Sequence, residues 1–335
     1  MAIAIQTAES PRSAAVGRLN LPIGSFKQVY DTAIVREALT DLPRGAHESL
    51  RETYEKMLAT GGERLSVKPS GVSALDALYI ELPNFREVLD DIRKQMALAA
   101  SASDRLEIAP ILLLGPPGIG KTHFAKRLSQ LLGTGFGFLG MSALTAGWII
   151  SGTSSGWKNA KPGKVFDTLV SGHYANPVLV VDEIDKAGHG EYDPLGAMYT
   201  LLEHDTAREF IDEFAEVPVD AADVIWIATA NSDAAIPEPI LSRMNVFEVP
   251  APDEAGVIQI ARSIYRDIRN SHAWGLSFPA EPGESAMAKL AELSPRGMRR
   301  IIFNAFGAAK LEGRDVIEAR DIADSRLSRK QRIGF

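Results

Sequence analysis

The stretch I-L-L-L-G-P-P-G-I-G-K-T at residues 111–122 decides which kind of fold the chain forms. Its apolar opening predicts a buried strand, and the remainder fits G-x-x-x-x-G-K-[ST], the pattern of a phosphate-binding loop. Glycines let backbone N–H groups curl around an anion, and the helix predicted at residues 122–132 adds partial positive charge at its N-terminus. We expect Lys121 to reach the terminal phosphates of ATP. The predicted nucleotide contacts are Gly115, Pro116, Pro117, Gly118, Ile119, Gly120, Lys121 and Thr122.

A second motif, V-L-V-V-D-E at residues 178–183, ends an apolar strand on two carboxylates. Ligands of parallel sheets collect at the carboxyl ends of the strands. We therefore expect Asp182, with the Thr122 hydroxyl, to hold Mg²⁺, and Glu183 to polarise the water that attacks the terminal phosphate. The alternative is a solvated strand end, which the preceding phosphate loop disfavours.

Apolar runs alternate with helical patterns from Ile111 onward, which predicts an α/β fold with a parallel sheet between helices. The expected strands are residues 111–114, 136–139, 178–181 and 224–228. After Pro250, helical patterns alone remain, at about residues 253–269, 284–293 and 295–310, and they predict a small all-helical lid domain.

The N-terminal part is expected to be a partly helical extension. Residues 1–45 show little periodicity, whereas residues 46–60 and 84–100 are predicted to be helices, the second capped by Asn84. The predicted units are residues 1–82, the extension; residues 83–252, the large nucleotide-binding domain; and residues 253–335, the lid domain with a C-terminal tail.

Composition narrows the class of protein. The chain has 335 residues, no cysteine and a formal net charge of -7. These values exclude disulfides and thiolate chemistry, and they disfavour broad binding to nucleic acid. No apolar run approaches the roughly 18 residues of a membrane span. The N-terminus resembles no secretory leader. We expect a cytoplasmic protein without a membrane partner.

Longer stretches of the chain resemble the AAA+ family, and in detail the ATPase module of Lon-type proteases. The similarity covers roughly residues 84–325. It is strongest in N-P-V-L-V-V-D-E-I-D-K at 176–186, E-F-A-E-V-P-V-D at 213–220, V-I-W-I-A-T-A-N at 224–231 and I-P-E-P-I-L-S-R-M at 236–244. The resemblance implies a P-loop NTPase fold, ATP and Mg²⁺ as cofactors, and a hexameric ring.

The resemblance also implies roles for four polar residues. Asn231 would be a polar sensor of the terminal phosphate or the attacking water, although an Asn after a strand is commonly a turn residue. Arg243 would be an arginine finger reaching the neighbouring subunit's nucleotide. Arg296 would face the nucleotide from the lid, with Ser294 as helix cap and Pro295 at the first helical position. Arg299 or Arg300 are alternatives for this contact.

Residues 152–164 resemble the channel-facing loop of Lon-type ATPases. Trp157 occupies the place of the aromatic residue that grips a polypeptide, with a buried anchor as its other interpretation and Trp148 as a competitor. Lys158 departs from the aliphatic residue of the family pattern, and with Lys161 and Lys164 it makes the loop basic, which suits an acidic peptide or a nucleic-acid strand. A second channel loop would involve His189 and Tyr192, for which a solvated turn is the favoured interpretation.

The C-terminal residues carry a further hypothesis. The peptidase domain of Lon-type proteases is not expected in this chain, so we expect no proteolysis of its own. Ile333-Gly334-Phe335 is similar to an I-G-F loop with which some unfoldases dock on a separate peptidase, whereas a frayed or packed terminus is the favoured interpretation.

Together these observations predict a magnesium-dependent ATPase ring that remodels, unfolds or threads proteins. The alternatives are an AAA+ ATPase that acts on DNA, as clamp loaders and branch-migration motors do, and an ATP-dependent assembly switch.

Overall fold

A computed structural model describes residues 23–43, 47–102, 104–143, 148–157, 159–187 and 195–322. The strands are β1 Ile23–Gln28, β2 Glu63–Lys68, β3 Ile111–Leu114, β4 Phe136–Gly140, β5 Val178–Asp182, β6 Phe210–Ile211, β7 Pro218–Val219, β8 Ile225–Ala230 and β9 Asn245–Glu248. The α-helices are α1 Thr32–Asp41, α2 Glu48–Thr60, α3 Asp76–Glu81, α4 Arg86–Ser101, α5 Lys121–Leu132, α6 Trp148–Ser151, α7 Lys164–Val170, α8 Met198–Leu201, α9 His204–Ala207, α10 Glu238–Leu241, α11 Glu254–Ser271, α12 Glu284–Ala291 and α13 Met298–Leu311. Short 3-10 helices lie at Val72–Leu75, Pro83–Phe85, Met141–Ala143, Ile184–Lys186, Ala273–Ser277 and Ala319–Asp321.

The centre of the molecule is a parallel sheet with strand order β4-β5-β8-β3-β9. The predicted α/β fold is confirmed, and all four expected strands are present. Strand β9 was not predicted, because its side chains are mostly exposed and show no apolar alternation. The register pairs Leu114 with Ala230 and Val181 with Ala228. The carboxyl ends of β3, β5 and β8 therefore meet at one edge, where ligands of such sheets bind.

The three central strands of this sheet, β5, β8 and β3, are buried on both faces, as the crossover helices of a parallel sheet require. Alternate residues of each of these strands enter different cores: Leu112 and Trp226 pack on one side, and Leu113 and Ile227 on the other. The second core includes Phe124 of α5, so the helix that follows the phosphate loop is held against the sheet. Helices α11, α12 and α13 have a separate core of their own.

The described residues between 23 and 68 form more regular structure than their sequence predicts. Strand β1 pairs antiparallel with β2, and Tyr30, Tyr54 and Met57 enter the first core of the sheet domain. The buried Arg64 donates from Nε to Leu169 O at 3.0 Å and from Nη2 to Val170 O at 2.5 Å, so it satisfies carbonyls at the end of α7. Four of the first five positions of β1 are exposed, which removes the alternation that would have revealed the strand.

Two predicted helix caps are wrong. The residue before α4 is Phe85, while Asn84 donates from Nδ2 to Pro250 O at 3.2 Å and so joins the sheet domain to the start of the lid. Helix α13 begins at Met298, after Gly297 with φ 81°, rather than at Pro295. The left-handed Gly297 separates Arg296 from the helix and leaves it on the preceding turn.

Among the described residues, no helix combines the length and the apolar character that crossing a membrane requires.

Candidate nucleotide-binding site

The phosphate loop joins β3 to α5 through glycines with positive φ. Gly118 has φ 83° and Gly120 has φ 105°, a region that favours residues without a Cβ. A Cβ on Gly118 would lie 2.9 Å from the Cβ of Arg296, so the lid approaches the loop at this residue. The loop thus keeps its backbone N–H groups open to an anion, which is the requirement of a phosphate cradle.

Lys121 lies in the middle of this cradle and is only 8% exposed. Its ammonium group donates to Gly115 O at 2.6 Å, to Pro116 O at 3.1 Å and to Asn231 Oδ1 at 3.3 Å. Burial lowers the pKa of Lys121, and the nearby carboxylates, Asp182 first among them, oppose this shift. A positive charge is therefore held between the loop and the end of β8.

The predicted metal-binding residues touch each other. Thr122 Oγ1 donates to Asp182 Oδ1 at 2.7 Å, which places a hydroxyl and a carboxylate at the same point. A third residue, Thr229, donates from its hydroxyl to the same Asp182 oxygen at 2.9 Å and accepts from the Glu183 backbone N at 3.0 Å. Sequence reasoning missed Thr229, although a hydroxyl in an otherwise apolar buried strand was a usable signal.

Glu183 follows directly and has a left-handed backbone, with φ 55°. Non-glycine residues adopt this region rarely, and such outliers cluster at functional sites. The turn is held by the hydrogen bond from the Glu183 backbone to Thr229 and by Lys186 N, which donates to Glu183 O at 2.8 Å. These contacts fix the backbone of Glu183 in its unusual conformation at the edge of the phosphate loop.

Asp185 is a further residue that sequence reasoning missed. It is 8% exposed, and its Oδ2 accepts from Asn231 N at 3.3 Å and pairs with Lys186 Nζ at 3.4 Å. This contact fixes the chain at Asn231, whose side chain meets Lys121. The second Asp of D-E-I-D-K was the available signal.

These residues line one cavity of about 320 Å³. The lining comprises Pro117, Gly118, Gly120, Lys121, Thr122, His123, Asp182, Glu183, Thr229, Ala230, Asn231 and Arg296. A second cavity of about 620 Å³ shares Gly118, Gly120 and His123 with the first. Its apolar wall comes from Leu82 and Ile119 on one side and from Ile260 and Ile264 of α11 on the other. The two cavities therefore lie side by side, one polar and the other partly apolar.

A charged cluster lines the second cavity. Glu81 Oε1 lies 3.0 Å from His123 Nε2 and 2.8 Å from Arg127 Nε. Burial favours the neutral acid, but the hydrogen bonds from His123 and Arg127 outweigh burial and lower the pKa of Glu81 to about 2. This carboxylate is therefore ionised throughout the physiological range and ties α3 to α5.

Comparisons with known proteins agree with this geometry. The family described as "ATPase family associated with various cellular activities (AAA)" matches residues 111–250. These residues form an AAA ATPase domain. It resembles the ATPase module of Lon-type proteases, as the sequence motifs predicted.

Two relatives illustrate the similarity. A mitochondrial Lon protease homolog of Candida glabrata is 35% identical over 73% of this chain and 24% of its own length. Lon protease 2 of Sorangium cellulosum is 30% identical over 85% of this chain and 37% of its own length. The chain thus spans between a quarter and about two fifths of these relatives. Among solved structures, a mutant of RuvB from Thermotoga maritima matches with a TM-score of 0.47 and 17% identity over 70% of this chain and 67% of that one.

Three arginines that the sequence suggested as nucleotide contacts lie in different places. Arg296 lines the phosphate cavity, whereas Arg299 lines the second cavity and pairs with Asp267 at 2.5 Å. Arg243 is not part of the described lining of either cavity. It pairs with Glu203 at 2.9 Å and donates to Pro239 O at 2.6 Å. The structure therefore brings Arg296, but not Arg243, to the chain's own phosphate loop.

The channel candidates Trp157 and Trp148 are not among the residues that line these two cavities. Trp157 is 56% exposed, and its ring packs edge to face against Trp148 at 6.1 Å between centroids. The two tryptophans that competed as candidates are therefore neighbours. Lys158, His189, Tyr192 and residues 333–335 lie outside the described residues.

Replacement of Thr229 tests the cluster around Asp182. We expect Thr229→Val, which removes the hydroxyl at nearly constant volume, to lower the ATPase kcat by about tenfold, because one hydrogen bond to a charged group is lost. Steady-state ATP hydrolysis measures this effect. Thr229→Ser keeps the hydroxyl and should retain most activity. Full activity of Thr229→Val would show that the bridge has no part in catalysis.

Proposed function

We propose that the chain hydrolyses ATP in a magnesium-dependent reaction and that a ring of its copies uses the energy to remodel, unfold or thread polypeptides. The observation that carries this proposal is the meeting of Lys121, Thr122, Asp182 and Glu183 in one cavity at the carboxyl edge of the sheet. The apolar wall of the second cavity suits the base and ribose of ATP.

The residues around Asp182 fit magnesium. Mg²⁺ prefers oxygen ligands and in nucleotide sites uses one or two protein oxygens together with phosphates and water. Thr122 Oγ1 and Asp182 Oδ1, 2.7 Å apart, supply a hydroxyl and a carboxylate of this kind. A metal ion bound there would neutralise charge on the phosphates.

The remaining side chains can then be given roles in hydrolysis. Lys121 would give up its hydrogen bonds to the loop carbonyls, bind the terminal phosphates and offset the negative charge of the phosphates. Glu183 would accept a proton from the attacking water, and Asn231 would orient that water or the terminal phosphate. Arg296 would contact the phosphates from the lid, so that closing the lid and binding ATP are coupled. The left-handed turn at Glu183 supports its assignment, because it holds the backbone of a residue that lines the phosphate cavity.

Arg243 supports a shared active site. In its own chain it lies away from the phosphate cavity, yet an arginine that reaches the transferring phosphate can raise the rate of such reactions by about 10³-fold or more. We assign it to the nucleotide of a neighbouring copy in a head-to-tail hexameric ring. Such a heterologous contact closes into a ring when its rotation permits.

The nature of the substrate rests on two observations. The named relatives are proteases, and Trp157 lies largely exposed on a loop, where an aromatic ring is costly to leave in water. Of the lysines that suggested nucleic acid, Lys164 is paired with Asp167 at 3.5 Å. A polypeptide is therefore the proposed substrate.

A cysteine-free chain suits the reducing cytoplasm, which is the proposed location. Docking of a separate peptidase on residues 333–335 stays a hypothesis.

Substitution of Glu183 tests the hydrolytic mechanism. Glu183→Gln should keep ATP affinity within about twofold and lower turnover by about 100-fold, because the phosphate loop stays intact while the proton acceptor is lost. Equilibrium binding of ATP and single-turnover hydrolysis measure the two effects separately. Glu209→Gln, at an exposed position, is the matched control. Hydrolysis at the wild-type rate in Glu183→Gln would remove Glu183 from this role.

Mixing two inactive variants tests the shared site. Arg243→Ala should lower ATPase activity, and so should Lys121→Ala. In mixed rings, an interface is complete when the Arg243→Ala chain supplies the intact phosphate loop and the Lys121→Ala chain supplies the intact arginine. In an equal mixture about a quarter of the interfaces meet this condition and should recover activity. The control Glu203→Gln breaks the same ion pair as Arg243→Ala and should stay active.

A chain that carries both substitutions cannot complete any interface, and mixing it with either single variant should restore nothing. Absence of rescue in mixtures whose co-assembly is verified by pull-down of one tagged variant would refute a site shared between chains.

A further inference from the structure

The loop that carries Trp157 begins and ends on one buried carboxyl group, that of Asp212. This side chain is fully buried, with 0% exposure. Its Oδ2 accepts from Gly163 N at 2.8 Å, at the end of the loop, and its Oδ1 accepts from Phe214 N at 2.9 Å and Ala215 N at 3.2 Å. At the start of the loop, Gly152 lies against the same Oδ1, since a Cβ built there would be 2.4 Å away.

The two glycines at the base of the loop leave no space for a side chain. Gly152 has φ 86°, and a Cβ on Gly163 would lie 2.2 Å from Ile150 O and 2.4 Å from Gly152 N. The two ends of the loop are therefore in backbone contact, and the Asp212 carboxylate fills the gap beside them. This arrangement needs glycine on the loop side and an acceptor of several N–H groups on the other.

The segment that contains Asp212 holds the rest of the loop as well. Glu213 N donates to Ser151 O at 2.7 Å, and Ser155 Oγ donates to Glu216 Oε1 at 2.7 Å. Within the loop, Thr153 N donates to Lys161 O at 3.1 Å. Residues 212–216 are thus a platform on which the loop is mounted.

We infer that Asp212 is a positioning residue for the loop of residues 152–163, and that its carboxylate fixes the base from which Trp157 projects. The inference rests on the proposed function only where it assigns the loop to substrate binding. An asparagine at position 212 could accept on one oxygen only, so its NH₂ group would face an N–H donor at either Gly163 or Phe214.

The titration of Asp212 supports this role. Burial raises the pKa of Asp212 to about 6, and its three backbone N–H partners limit the rise while Glu213 adds to it. The other charged groups on the packed segments are Glu216, bonded to Ser155, and Lys164, paired with Asp167; His47 Nδ1 lies 3.1 Å from Ser155 O. Above about pH 6 the carboxylate accepts all three N–H groups, and below it the added proton removes one acceptor position.

Proton binding by Asp212 also affects the stability of the fold. The folded-state pKa of Asp212 lies above the usual aspartate value of 3.8, so the folded chain binds this proton first as the pH falls from about 6 towards 4. Protonation of this group therefore favours the folded state in that window. The same sign applies to a local opening that brings Asp212 into water.

Hydrogen exchange of the full chain tests the inference directly. We expect Asp212→Asn to lower the protection of the Gly163, Phe214 and Ala215 amides by about tenfold, while protection in α11 stays at the wild-type level. Gly152→Ala should do the same from the loop side. The control Gly156→Ala lies in the same loop, where a Cβ would meet nothing within 4 Å, and it should keep the wild-type pattern.

Unchanged protection in Asp212→Asn and Gly152→Ala would overturn the inference. Equal loss of protection in α11 would assign Asp212 to stability in general.

Stimulated ATPase activity connects the loop to substrate. With casein as the unfolded probe, we compare two ratios of Asp212→Asn to wild type. The ratio of casein concentrations for half-maximal stimulation should exceed the ratio of unstimulated ATPase rates by about tenfold. Stimulation of the wild type by single-stranded DNA but not by casein would refute the proposed function and leave the exchange test of Asp212 valid. Normal half-maximal stimulation in a variant with a loosened loop would refute the link to substrate.

Discussion

The hydrogen bond between Thr122 and Asp182 is the contact on which the site depends. It joins the first turn of the helix α5 after the phosphate loop to the end of β5, which is separated from β3 by β8. Thr229 reaches the same oxygen from β8, so α5, β5 and β8 meet on one carboxylate. All three elements have side chains in the buried cores, so none of them can shift without disturbing a core.

The nucleotide site lies where the sheet domain meets the C-terminal helices. The phosphate cavity is lined by Arg296 of the lid, and the second cavity continues between the large domain and α11. A nucleotide in this cleft would touch both domains and would therefore change their relation when its terminal phosphate leaves. The platform of residues 212–216 lies between β6 and β7, and its Phe214 and Ala215 share a core with the central sheet.

The sequence predicted the parts of the structure that contiguous patterns encode. The buried strands, the phosphate loop and the D-E pair belong to this class, because apolar runs and glycine spacing are local properties. Strand β1 escaped prediction because its face is mostly solvent-exposed, and the start of α13 was misplaced because the left-handed turn at Gly297 follows the predicted cap Ser294 and delays the helix. The hydroxyl of Thr229 was visible in the sequence of its apolar strand, but the partners of Thr229 and Asp212 depend on strand register and on the approach of distant loops, which no local pattern contains.

The central claim is that a triphosphate binds at Lys121 with a metal ion held by Thr122 and Asp182. The most direct measurement is the equilibrium affinity for a non-hydrolysable ATP analogue with magnesium and with EDTA, for the wild type and for Asp182→Asn. The account predicts that magnesium raises the wild-type affinity by about tenfold or more and that Asp182→Asn removes most of this gain. Absence of binding, or equal affinity with and without magnesium, would contradict it.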